Sequence, residues 1–190
     1  THSPSHPVTQ SPSHPVTQSP RHLVMPRTNQ CTLIATFLPL CWLGMMVVHE
    51  CGHVLGVWWT GGNVVRVVLH PLAISRTDVL PNPQPLLVAW SGPILGVVIP
   101  TLFLGIAKRR GAITFLLQFF TGFCFVANGA YIACGSFEGI GDAGEILAHG
   151  SPMWSLWLFG LVTLPPGFWL WHGLGPHFGL GDSNGTVSTT

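Results

Sequence analysis

Two histidines and a glutamate lie together at the end of a long apolar stretch of this sequence. The segment from Cys31 to Val48 contains no charged residue, and His49-Glu50-Cys51-Gly52-His53 follows it directly. Residues i and i+4 share one face of a helix, so His49 and His53 can bind a single metal ion. Glu50 lies about 100° further round the helix, beside the metal. This spacing is typical of a metal site in which the glutamate is the general base for a water molecule.

The composition indicates an integral, multi-pass membrane protein. Only 7% of the 190 residues are charged, against about 25% in soluble domains, and the mean hydropathy is +0.49. An ionisable side chain within lipid costs about 2.5–3.5 kcal/mol, so the cluster of histidines and glutamate is a functional hypothesis by default. The net charge of +1 gives no reason to expect a nucleic-acid partner.

Four apolar runs predict an all-α membrane protein built as a bundle of about four transmembrane helices. The runs cover about 31–59, 86–107, 112–134 and 153–174. Each is long enough to cross a hydrocarbon core of about 30 Å. We therefore predict a transmembrane core over 31–175, preceded by a disordered low-complexity segment over 1–30 and followed by a flexible tail over 176–190.

The predicted N-terminal segment is repetitive. Ser-Pro-Ser-His-Pro-Val-Thr-Gln occurs at 3–10 and again at 11–18, with a degraded third copy at 19–24. Such a segment cannot bury enough apolar surface to fold. Its three histidines, eight residues apart, are interpreted as members of the repeat and not as metal ligands. The chain begins with Thr1, which fits either a fragment or an extension upstream of a start near Met25.

The segments between the runs differ in character. Val64 to Leu69 is rich in β-branched residues and lies between Gly61-Gly62 and His70-Pro71, which predicts one or two short strands close to the membrane surface. A tight basic loop, Lys108 to Arg110, separates runs two and three. A hydrophilic loop is predicted from Gly135 to Pro152.

A catalytic zinc usually has three protein ligands, so one ligand must come from elsewhere in the chain. Runs one and three cross the membrane in the same direction, which brings the end of run three to the side of His49 and His53. Asp142 follows that end, flanked by glycines that allow a close approach, and is our predicted third ligand. Glu145 and Glu138 are the alternatives. Asp142 could also act as the N-cap of a short helix over 143–148.

Other polar residues receive less prominent predictions. Asn128 lies within run three, where an amide is costly, and is predicted to orient a metal ligand or to bind the substrate backbone. A hydrogen bond between helices, with Tyr131 nearby, would also explain it. The remaining histidines of the core are interpreted as interfacial, and all five cysteines as buried thiols that form neither a disulfide framework nor a zinc site. These histidines are His70, His149 and His172.

The motifs together resemble the site-2 protease family of intramembrane zinc metallopeptidases. The resemblance covers roughly 31–150: the His49–His53 motif in an apolar run, the strand-like segment after it, Ser91-Gly92-Pro93 in the second run, and Gly141-Asp142. It implies that His49, His53 and Asp142 hold one zinc ion, that Glu50 is the base, and that the partners are the lipid bilayer and membrane-protein substrates. The family commonly carries its third ligand in an Asn-Pro-Asp-Gly-like motif; here these features are divided between Asn128-Gly129 and Gly141-Asp142.

Two alternatives and one question stay open at this point. A catalytically inactive zinc-binding protein of the same fold would keep the metal without turnover, although the intact Glu50 counts against it. A small metal-ion transporter would need polar residues along several spans, and runs two and four have few. The basic loop at 108–110 favours a cytoplasmic N-terminus. The family resemblance implies the reverse orientation.

Overall fold

The computed structural model describes residues 27–107 and 114–181. Four long helices carry most of these residues: α1 (Arg27–Thr60), α2 (Pro85–Ala107), α3 (Thr114–Glu138) and α5 (Met153–Trp171). A short helix, α4 (Gly141–Ala148), lies between α3 and α5. Two strands, β1 (Val64–Val68) and β2 (Arg76–Val79), separate α1 from α2, and a 3₁₀ helix (Gly175–Phe178) follows α5.

The four long helices are long and apolar enough to cross a membrane. Their apolar spans have 31, 23, 25 and 19 residues in chain order. At 1.5 Å per residue even the shortest extends about 28 Å, close to the thickness of a hydrocarbon core. Many of their large apolar side chains face outward, among them Leu102, Leu161 and Trp169. The predicted fold class, a membrane bundle of four helices with a short β segment after the first, is confirmed.

Small residues allow the helices to approach closely at two interfaces. Between α1 and α2, a Cβ on Gly52 would lie 2.7 Å from the backbone oxygen of Ser91, and a Cβ on Gly56 would overlap the Ser91 side chain. Between α3 and α5, a Cβ on Gly160 would lie 2.6 Å from the Cβ of Ala133. Close packing of small residues is a main source of helix association in lipid, where the hydrophobic effect contributes little.

The two strands form an antiparallel hairpin, as the β-branched segment predicts. Val67 pairs with Thr77 and Val68 with Arg76. Asp78 bridges the strands, since it accepts hydrogen bonds from the guanidinium groups of Arg66 at 2.9 Å and Arg76 at 3.1 Å. The hydrogen bond from Arg66 is the main reason why the pKa of the exposed Asp78 carboxyl lies below its usual value. The hairpin is therefore a small ordered element beside the bundle.

The structure differs from the sequence predictions at three boundaries. Helix α1 begins at Arg27, inside the segment predicted to be disordered. The predicted loop over 135–152 contains the last turn of α3 and all of α4. Part of the predicted tail is the 3₁₀ helix, whose Phe178 is buried and accepts a hydrogen bond from Gln30 at 2.7 Å through its backbone oxygen. The repeat over 3–24, the basic loop at 108–110 and positions 182–190 lie outside the described residues.

Candidate metal centre

Helix α1 places both histidines of the motif on one buried face. His49 and His53 are each 6% exposed, and their imidazole rings meet edge to face with centroids 4.8 Å apart. Their Nε2 atoms lie 3.1 Å from each other. One turn of helix separates the two residues, which is the geometry that the i, i+4 spacing predicts.

Asp142 completes the group. Its Oδ2 atom lies 2.8 Å from Nε2 of His49 and 3.2 Å from Nε2 of His53. Among the described residues, these three side chains are the group of histidine, cysteine and carboxylate residues whose ligand atoms converge closely enough to hold a metal ion. The sequence-based choice of Asp142 therefore agrees with the geometry.

Packing of α4 carries Asp142 to this position. Ala143 and Ile146 on the buried face of α4 are fully enclosed, in a cluster with Ile132 of α3 and Leu156 of α5. Gly139 and Gly141 have φ values of +61° and +54°, which permit the tight turn from α3 into α4. The expected N-cap role is wrong: α4 begins at Gly141 and Ile140 occupies the cap position, so Asp142 lies inside the helix.

Tyr131 supports the same turn from α3. Its hydroxyl accepts a hydrogen bond of 3.2 Å from the backbone N–H of Asp142. A Cβ at position 141 would overlap that hydroxyl, so the residue before Asp142 must be glycine for steric as well as conformational reasons. The tyrosine ring also meets the ring of His49 edge to face, with centroids 5.9 Å apart. Tyr131 thus contacts both sides of the metal group.

Hydrogen bonds to the far side of each imidazole fix which nitrogen faces the group. Nδ1 of His49 lies 2.7 Å from Oδ1 of Asn128, and Nδ1 of His53 lies 2.7 Å from the backbone oxygen of Val88. Both oxygens are acceptors, so Nδ1 of each ring must be the donor, and in the neutral ring Nε2 then carries the lone pair. The Asn128 amide is oriented by its own Nδ2 donor, which bonds the oxygen of Cys124 at 2.8 Å.

Three acceptor atoms therefore face one point: two imidazole nitrogens and a carboxylate oxygen. Acceptors at such distances repel one another unless a cation lies between them, so the donor set fits a bound metal ion. Burial by itself would raise the pKa of the Asp142 carboxyl, but the two imidazoles beside it outweigh burial and hold that pKa well below its usual value, because a proton bound at either Nε2 in place of a metal ion stabilises the carboxylate. The carboxylate is thus charged at neutral pH, as a metal ligand must be.

Glu50 is buried next to this group and is held by the hairpin. It is 2% exposed, and its Oε2 accepts a hydrogen bond of 2.6 Å from the hydroxyl of Thr77 on β2. Thr77 also lines a cavity of about 830 Å³ together with His53 and Asp142. Polar and charged side chains form much of its wall, so water can reach the metal group from this side.

The Ser-Gly pair of α2 accounts for the position of His53. A Cβ on Gly92 would overlap the imidazole of His53, so only glycine leaves room for the ring against α2. One turn earlier in α2, Val88 supplies the oxygen that fixes the same ring. The Ser91-Gly92 pair therefore allows the close contact between α1 and α2 and leaves room for the imidazole of His53.

The remaining candidate residues lie away from the group. Glu138 is exposed at the end of α3. Glu145 lines the large cavity, but its side chain is 65% exposed and lies 3.6 Å from His149. Three histidines, His70, His149 and His172, are exposed, which agrees with an interfacial position. All five cysteines are free, as predicted, but the prediction that they are buried is wrong for Cys31, Cys51 and Cys134, which lie on outward faces of their helices. Cys51 points away from the histidine face.

Apart from Asn128, sequence reasoning did not find the residues that support the site. Thr77 occupies an unremarkable position in a short strand, and Val88 contributes only its backbone oxygen. Gly92 was noticed as part of a motif without a stated role. One signal for Thr77 was available in the sequence: a short hairpin that directly follows α1 brings its second strand back towards the end of α1, where the motif lies.

Comparison of the chain with protein-family models, curated proteins and solved structures finds no match.

The third ligand can be tested by metal content. Asp142→Ala removes one of three converging ligand atoms, so the purified protein should lose most of its bound metal. Glu145→Ala, on the same helix but exposed, is the matched control and should retain it. Metal-to-protein ratios by mass spectrometry measure both, and full occupancy in Asp142→Ala would exclude this ligand.

The orienting role of Asn128 has its own test. Asn128→Ala leaves Nδ1 of His49 without an acceptor, so affinity for a divalent metal should fall about 10–100-fold in competition with a chelator. Asn128→Asp restores an acceptor oxygen and should recover most of the affinity. Equal affinities in the wild type and the alanine variant would contradict this role.

A third test concerns the fit of His53 against α2. In a helix, alanine is normally favoured over glycine by about 1 kcal/mol, so Gly92→Ala should be harmless unless the ring is displaced. We expect metal affinity at least about tenfold lower, the size of loss typical of a disturbed ligand support. Gly105→Ala, on the same helix and facing open space, is the control and should bind metal normally.

Proposed function

We propose that this chain is a zinc metallopeptidase that hydrolyses peptide bonds in or near membrane-spanning segments of other proteins. The observation that carries the proposal is the convergence of His49, His53 and Asp142 beside the buried carboxylate of Glu50. The resemblance of the sequence motifs to the site-2 protease family supports the same function.

The donor set suits zinc. Catalytic zinc sites commonly use three nitrogen or oxygen ligands at about 2.0–2.2 Å and keep a fourth position open. Ligand atoms at that distance from a tetrahedral ion lie about 3.3 Å apart. The three separations here, 2.8, 3.1 and 3.2 Å, are within about half an ångström of that value. His53 and Asp142 also line the large polar cavity, from which water can reach the group.

Each residue of the site has a defined task in this proposal. His49, His53 and Asp142 hold the ion, while Asn128 and the oxygen of Val88 orient the imidazoles. A bound zinc ion would polarise the scissile carbonyl and make a water molecule acidic, with a pKa near ~7. Glu50 accepts the proton from the attacking water as the new C–O bond forms. It then delivers that proton to the amine nitrogen as the C–N bond breaks.

The hairpin has two tasks. Thr77 donates to one oxygen of Glu50 and so leaves the other free to accept a proton. An extended substrate segment can add to the edge of a sheet, because its backbone must leave the helical state before attack. β2 borders the site, since Ser75 to Val79 line the cavity that contains His53 and Asp142. This position of β2 supports our proposal that the substrate strand adds along β2.

The test uses purified full-length chain in detergent with a pool of apolar peptides of about 20 residues, analysed by mass spectrometry. The wild type should bind one zinc ion and produce cleaved peptides. Glu50→Gln should retain zinc, because Glu50 is not a ligand, and should lower the cleavage rate by at least about 10²-fold. Glu138→Gln, exposed at the end of α3, is the control for loss of a carboxylate.

Three results would contradict the proposal. Undiminished cleavage by Glu50→Gln would exclude Glu50 as the base. Zinc without cleavage of any peptide would favour the catalytically inactive alternative. Iron in place of zinc would point to a different chemistry, because two histidines and one carboxylate are also the ligand set of iron oxygenases.

A further inference from the structure

Two cavities of opposite character meet at the metal group. The larger one is polar and contains Asp142 and His53 in its wall. A second cavity of about 160 Å³ reaches His49 from the other side, and its wall is mainly apolar. Tyr131, Ile74 and Ser75 line both. Water can therefore reach the group through the polar cavity, while the cavity on the other side favours an apolar guest.

The apolar cavity lies between matching faces of α1 and α3. Trp42, Met45, Met46 and His49 are spaced i, i+3, i+4 and i+7, so they form one stripe along α1 that ends at a metal ligand. The opposite wall is formed by residues of α3: Ala127, Asn128 and Tyr131. The polar groups at the inner end, His49 and Asn128, are already bonded to each other. The rest of the wall offers mainly apolar contact to a guest.

The size of the cavity matches one large apolar side chain. A cavity of about 150 Å³ lined by aliphatic and aromatic residues stays dry in water and binds benzene. A space of 160 Å³ can thus accept a phenyl ring or a branched aliphatic group. Methionine side chains are flexible and adapt to irregular guests, so Met45 and Met46 can fit both shapes.

The loop of the hairpin borders the outer side of this cavity. The indole N–H of Trp42 donates a hydrogen bond of 3.0 Å to the backbone oxygen of Pro71, in the loop between β1 and β2. Ile74 from the same loop contributes to the wall. A substrate strand beside β2 would consequently lie over both cavities and could place a side chain in the apolar one.

We propose that the apolar cavity is a substrate subsite, which receives a leucine or phenylalanine side chain next to the scissile bond. The inference rests on the proposed function and adds a substrate preference to it. Ala127 is the position where added volume would block the subsite, since it is the smallest side chain in the wall. Met45 is the position where removed volume would enlarge it.

Amino-acid hydroxamates test the subsite without turnover. The hydroxamate group binds zinc, which leaves the amino-acid side chain to occupy a neighbouring subsite. Zinc-loaded full-length chain in detergent is titrated calorimetrically with the hydroxamates of glycine, leucine and phenylalanine. We expect the leucine and phenylalanine compounds to bind at least about tenfold more tightly than the glycine compound, a typical discrimination by an apolar pocket.

Two variants and one control locate the effect. Ala127→Leu should remove most of the advantage of leucine and phenylalanine and leave glycine hydroxamate unchanged. Met45→Ala should favour phenylalanine over leucine relative to the wild type, which keeps the proposal testable if Ala127→Leu does not fold. Cys134→Leu, exposed on the same helix, is the control and should keep the wild-type order.

The outcomes separate the subsite from the proposed protease function. Equal affinities of the three hydroxamates, no binding of any of them, or an undiminished advantage in Ala127→Leu would each overturn the subsite, even if peptides are cleaved. Selective hydroxamate binding that Ala127→Leu abolishes would support the subsite, even if the peptide pool stays intact and the protease function fails.

Discussion

Three acceptor atoms held within about 3 Å of one another are the constraint on which this structure depends. Two imidazole nitrogens and a carboxylate oxygen do not remain together unless their surroundings fix them and a cation relieves their repulsion. The surroundings are supplied by every long element near the site. Helix α2 provides an oxygen and a gap without a side chain, α3 provides an amide, and α4 provides the carboxylate itself. The glycines between the helices are part of the same arrangement, because they determine how closely the imidazoles approach their supports.

Local spacing was sufficient to predict part of this site. The i, i+4 histidines share a helical face whatever surrounds them, and an uncharged run of this length must cross lipid or be buried. Asp142 was also reached, because parallel helices bring the end of α3 to the histidines and glycines mark the turn. The alternative role of Asp142 as an N-cap is wrong, since the helix begins two residues earlier than the Asp-x-x-Glu spacing suggests. Asn128 and Asp142 contact opposite sides of the same imidazole: Oδ1 of Asn128 lies 2.7 Å from Nδ1 of His49, and Oδ2 of Asp142 lies 2.8 Å from its Nε2.

Thr77 and Val88, which hold Glu50 and His53 in place, could not be predicted in the same way. Thr77 meets Glu50 across 27 positions, and Val88 meets His53 across 35. Such contacts depend on how a hairpin folds back and how two helices rotate about their axes, neither of which leaves a periodic pattern. A backbone oxygen leaves no pattern at all, because every residue has one. Sequence patterns therefore reveal the chemical groups of a site more readily than the framework that holds them.

The position of α4 has a consequence for how the molecule is made. The two histidines and Asp142 are separated by 93 and 89 residues, with two membrane spans between them. During synthesis α1, the hairpin, α2 and α3 must all emerge before Asp142 is added, so the nascent chain carries the two histidines without the carboxylate for nearly half of its length. Contacts of such long sequence separation also form late in folding, because loop closure costs entropy before it is rewarded. The group of three converging side chains is thereby completed only when most of the bundle has been made.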